Sequence, residues 1–128
     1  MDHSVAQFLE ELCRLLRITD IEIQQLCAPA SESLAFLFPD DDTRQKARDL
    51  LDDEEYKDIS IRLTRHAATT VVFHLLTLLD ERRELGDACV QPRLVLTKDA
   101  QEVPVPSFLH ELLGGTMQDI GMDTDEWW

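Results

Sequence analysis

Apolar positions recur every three or four residues along most of this chain and alternate only in its last third. The pattern therefore predicts helices first and a small extended element later. Ser4 is a good N-cap with Gln7 three residues on, and Val5, Phe8, Leu9, Leu12, Leu15 and Leu16 follow at helical spacing, so a first helix is expected over Ser4 to Arg17. Thr19 and Glu22 repeat the capping pattern ahead of Ile21, Ile23 and Leu26, which predicts a short second helix closed by Pro29. Ser31 opens a run of Leu34, Phe36, Leu37 and Phe38 that stops at Pro39 and suits a helical turn and a strand equally. Asp42 is placed to cap TRQKARDLL, an amphipathic helix with Ala47, Leu50 and Leu51 facing inward.

The dominant segment runs from about Asp53 to Arg83. It holds no proline or glycine, begins with acids and ends with two arginines, an order that suits the helix macrodipole. On a wheel of about 100° per residue, Ile59, Leu63, Ala67, Thr70, His74 and Leu78 share one arc, and Val71, Leu75, Ala68, Leu79 and Val72 continue it. More than half of the circumference is apolar, so the first half of the helix is expected to be one-sided and the second half enclosed on nearly all sides. The polar sector holds Asp58, Arg62, Arg65, Thr69 and Asp80, with Phe73 and Leu76 among them, and those two require a cover.

That cover is expected from the C-terminal third. Gly86 is placed to end the long helix, Leu94 to Thr97 reads as a short strand, and Lys98-Asp99-Ala100-Gln101 can turn. Val103 and Val105 alternate with Pro104 and Pro106, which confines that stretch to an edge strand or an extended arm. Ser107 is expected to cap FLHELL, and Gly114-Gly115 to stop it. The expected fold is mainly α, α+β in detail: a helical array around one long central helix with a small C-terminal β-hairpin or extended arms. The whole chain is expected as one domain, with short helices over 1–52, the central helix over 53–84, the hairpin and short helix over 86–113, and an acidic tail over 114–128.

Charge changes the picture from architecture to partners. The net charge is −14, with 26 acidic side chains against 12 basic, and the most acidic third is the last. A field of that sign repels phosphate backbones, so direct nucleic-acid binding is not expected and a basic protein partner is. The longest apolar run, Ala67 to Leu79, is too short to span a bilayer, and the amino terminus lacks the basic region of a secretory signal. Cys13, Cys27 and Cys89 form no C-x-x-C pair, which argues against a disulfide framework or a thiolate zinc site and for a reducing compartment, the cytoplasm.

Candidate chemistry is sparse. His3, His66, His74 and His110 form no close ligand pair, and His74, on the apolar arc, is expected as a neutral core histidine. No G-x-S-x-G, S-x-x-K or P-loop pattern is present, and the aspartate run lacks the glycine and glutamate of an EF-hand loop. Catalytic residues, cofactors and metals are accordingly not expected. The remaining candidates are the acidic cluster Asp40, Asp41 and Asp42 and the tail Asp123, Asp125, Glu126, Trp127 and Trp128. Acids beside two tryptophans have the chemistry of a partner anchor, although the tryptophans are expected first to dock on their own domain and tie the chain end down.

Helix FHLLTLLDE, strand LVLT, turn KDAQ and closing helix SFLHELL, over roughly Val71 to Leu113, resemble small acidic bacterial proteins of the immunity type, which neutralise a toxin by covering it. The resemblance implies a protein partner, often basic, such as a nuclease or other toxin domain. It carries no motif and therefore no functional residue. Two rival readings are a small ligand-binding or enzymatic domain with a polar pocket of His66, Arg62 and Arg65, and a homodimer packed through Phe73 and Leu76.

Overall fold

The computed structural model describes residues 2–28, 32–81 and 92–127. The elements are α1 (His3–Leu26), α2 (Leu34–Leu37), α3 (Asp41–Leu51), α4 (Glu54–Glu81), β1 (Leu96–Lys98), β2 (Gln101–Val103), α5 (Leu109–Asp119) and α6 (Thr124–Trp127). The fold is mainly α with a small antiparallel hairpin, as the periodicity predicts. Arg82, Arg83, Gly86, Cys89 and Trp128 lie outside the described residues, so the expected helix end at Gly86 does too.

α1 is one helix where two are expected. Its N-cap is Asp2, whose carboxylate accepts from Ser4 N at 2.7 Å, so Ser4 lies inside the first turn. Nothing between Val5 and Leu26 is proline or glycine. Thr19, the expected second cap, donates its hydroxyl back to the Leu15 carbonyl at 2.9 Å and leaves the helix unbroken. Val5, Leu9, Cys13 and Leu16 form the buried stripe, and burial pushes the Cys13 thiol up to about 11. The run after Ser33 resolves as a single helical turn, α2. α3 starts two residues earlier than expected because Asp40 caps it, accepting from Thr43 N and Oγ1 at 2.9 Å. Asp41 and Asp42 then occupy the first turn, where the exposed N–H groups favour acids.

α4 packs against α1, α3, α5 and α6, and from Arg65 onward it turns part of the expected polar sector inward, beside Ala68 and Val72 of the expected apolar arc. Thr69 and Leu76, at 0% and 1% exposure, sit in the core. Arg65 and Asp80 also turn inward. Ile59, Leu63, Ala67, Val71, His74 and Leu75 face solvent. His74 is therefore not a core histidine, and Leu76 is not a homodimer surface. Arg65 and Thr69 of the polar sector can face inward because each is paired there, as is one carboxylate oxygen of Asp80, while Asp58 and Arg62 stay on the outer surface. Arg65 Nε and Nη2 donate to Asp20 of α1 at 2.6 and 3.1 Å. Thr69 donates to the Arg65 carbonyl at 2.9 Å, and Asp80 accepts from His110 N at 2.9 Å. A buried polar group with a partner loses most of the penalty that the wheel assigns to it.

The cover for Leu76 comes from both ends of the chain. Its cluster joins Val5, Leu9, Cys13 and Leu16 of α1 with Leu109, Leu113 and Met117 of α5, and with Met122 and Trp127. Phe73 is half-buried, its ring edge-on to that of His110 at 5.3 Å. The hairpin lies against α1, with Leu96 opposite Val103 and Lys98 opposite Gln101. Asp99 and Ala100 link the strands with φ of 51° and 63°, the two left-handed positions of a tight turn whose twist matches the strands. The turn is where the sequence places it.

α5 differs from expectation at both ends. Ser107 does not start it; Phe108 is the N-cap residue without a side-chain hydrogen bond, and Asp80 from α4 takes the His110 N–H instead. Gly114 and Gly115 do not stop it, since a helix can pass through glycine at a modest cost. The helix ends at Gly121, where φ is +80°, with Met122 N donating to Met117 O at 2.8 Å and Gly121 N to Gln118 O at 3.0 Å. That pair of bonds is a Schellman cap, and the buried Met117 and Met122 supply its apolar contact. Gly121→Ala therefore destabilises the fold by about 1 kcal/mol although its new Cβ meets nothing within 4 Å. Urea melts check this, and an unchanged midpoint would contradict the cap.

Candidate interaction surface

The acidic candidates divide into two local motifs. Asp40 is committed to capping α3, and its bonds from the Thr43 backbone N–H and then the hydroxyl hold its carboxyl below the usual range. Asp41 pairs with Arg44, and Asp42 is exposed beside it. At the other end Asp123 Oδ1 accepts from Asp125 N at 2.9 Å, the turn that starts α6, and Asp125 is exposed. Glu126 reaches Arg65 at 3.8 Å. Trp127 is buried on its own domain, with the Arg65 guanidinium carbon 5.6 Å from its ring centroid. It ties the C-terminal stretch to α4 and α5, so it offers no free aromatic surface. Hydrogen bonding to the Asp20 carboxylate is the main reason the Arg65 guanidinium is pushed above its ordinary value.

The polar pocket proposed around His66 does not form. His66 is exposed, Arg62 pairs with Asp58 on the outer surface at 3.1 Å, and Arg65 points the other way toward Asp20. Three groups on diverging faces cannot close on one ligand. Among the described residues no group of three histidine, cysteine or carboxylate side chains could hold a metal ion.

What the structure does expose is apolar. Ile59, Leu63, Ala67, Val71 and Leu75 follow one another at every fourth residue along the outside of α4, a ridge about 24 Å long. Leu63 and Val71 are 65% and 67% exposed, far beyond what a helix docked on its own core requires. Beside the C-terminal half of the ridge, Leu12, Leu15, Leu16 and Thr19 of α1 and Ala68, Val71 and Val72 of α4 line a groove of about 320 Å3. No Asp, Glu, Lys or Arg occurs between His66 and Leu79. An exposed aromatic, Phe36 at 89%, stands just before the acidic cluster at Asp40.

Sequence reasoning missed this surface by assigning the same residues to the core. The available signal was the unbroken four-residue spacing, which suits a ridge that meets another helix as well as it suits a core stripe. Contiguous exposed apolar surface on a folded chain marks an interaction site. Comparison with known proteins found no matching family model, no matching curated protein and no matching solved structure.

Proposed function

We propose that this chain is a non-enzymatic, acidic protein-binding module, an immunity-type inhibitor that covers a basic bacterial toxin or effector. One observation carries the reading: an uninterrupted apolar ridge, Ile59 to Leu75, lies exposed on the longest helix of a chain with net charge −14. Negative charge accelerates encounter with a basic protein and rejects acidic ones, while the ridge supplies area that contact can desolvate. The exposed Asp41, Asp42 and Asp125 contribute to that field. Cys13 and Cys27 are free and buried, in keeping with action in a reducing cytoplasm, and no described helix is long and apolar enough to cross a membrane.

The experiment is isolation of the native complex, or capture of partners on the immobilised chain at low and high salt. A basic protein is recovered at low salt, with initial binding slowed as salt rises, because screening removes long-range steering first. Recovery of no basic protein at low salt would sink the reading.

A further inference from the structure

We infer that the groove between α1 and α4, with the ridge beside it, is the docking site for one amphipathic α-helix of the partner, apolar on its inner face and basic on its outer one. This rests on the protein-binding reading above and specifies its site and occupant.

The shape argues for a helix. An i, i+4 ridge packs into the matching grooves of another helix, and about 24 Å of ridge matches roughly 16 residues of helical partner. The groove beside it is lined by two nearly antiparallel helices, since Asp20 meets Arg65 while Leu12 and Leu16 stand by Ala68 and Val72. Its walls are leucine, valine, alanine and one threonine, the composition that takes the apolar face of an incoming helix. A docking β-strand would instead need a free sheet edge.

Charge decides between the two occupants that the shape allows. A second copy would lay its own ridge here, but it would bring −14 toward −14. Two of the basic side chains on these helices are also neutralised at home, Arg14 by Glu11 and Arg62 by Asp58. Glu22 is exposed and follows the groove-lining Thr19 by three residues, which places it on the same side of α1. A helix with lysines or arginines outside its apolar face meets attraction there and in the surrounding field, with no cation on the groove floor to oppose it.

The test titrates the intact chain with three synthetic peptides of about 18 residues: a leucine–lysine amphipathic helix, a scrambled peptide of identical composition, and a leucine–glutamate helix. Binding is followed by fluorescence anisotropy. The amphipathic basic peptide binds at least about tenfold tighter than the scrambled one, and the acidic helix does not bind. Val71→Asp and Leu63→Asp, both at exposed positions, each weaken it about tenfold while circular dichroism stays unchanged, and Phe36→Asp leaves it unaltered. Equal binding of amphipathic and scrambled peptides, or no effect of either ridge variant, overturns the inference. So does a concentration-dependent dimer in sedimentation that Val71→Asp dissolves, because the second copy is then the occupant. Repeating the partner capture with Val71→Asp separates the two levels. A basic protein retained equally by both chains overturns the groove alone, and no basic protein retained by either overturns the module as well.

Discussion

Asp20→Ala lowers the unfolding free energy by about 3 kcal/mol, an effect far larger than an exposed ion pair supports. The Asp20 and Arg65 side chains are only 12% and 19% exposed, and their contact is two-pronged, at 2.6 and 3.1 Å. Removing the carboxylate leaves a guanidinium between α1 and α4 with its charge only partly answered. Glu126, at 3.8 Å and half-exposed, is a weaker substitute, and Gln24, which donates to Asp20 Oδ2 at 2.8 Å, loses its own partner. The loss reaches the C-terminal stretch as well, because Trp127 packs under that guanidinium. Equilibrium unfolding in urea should show the lower midpoint, and indole fluorescence should shift before the main transition as α6 loosens.

A companion variant separates the worth of the pair from the cost of breaking it. Asp20→Leu combined with Arg65→Met fills the same space with apolar atoms and recovers most of the lost stability, because the desolvation of two charges no longer opposes their attraction. If Asp20→Ala costs under about 0.5 kcal/mol, the pair behaves as a surface contact and the inward orientation of Arg65 loses its explanation.

The parts of this fold that were legible in the sequence are those decided locally. Helix existence followed from apolar spacing, and the Lys98–Gln101 turn from a polar break between alternating residues. The misplaced parts were decided by distant partners. Ser107 looks like a cap until Asp80, in another helix, takes the His110 N–H. The inward turn of Arg65 depends on Asp20, 45 residues away, and no single-helix wheel contains that partner. The candidate surface was hidden by the same error: once Arg65 and Thr69 are satisfied inside, the outer part of the apolar arc, Ile59 to Leu75, is left for solvent or for another protein.

The orientation of α4 is open to a direct stability test with two leucines of the same helix. Leu76→Ala should cost about 3 kcal/mol, since Leu76 is 1% exposed and touches the cluster shared by α1 and α5, so truncation leaves a cavity lined by both. Leu63→Ala should cost under about 0.5 kcal/mol, since its side chain is mostly in water already and alanine favours the helix. A wheel drawn on apolar periodicity alone places Leu63 on the apolar arc and makes its truncation costly as well. Urea midpoints of the two variants therefore discriminate between the two facings without reference to any partner. The same pair bears on function, because Leu63→Ala removes ridge area and should weaken capture of a basic partner at nearly unchanged stability. Leu76→Ala should weaken capture only to the extent that it unfolds the chain, and a stably folded Leu76→Ala protein that has lost its partner would place the interface on the opposite side of α4.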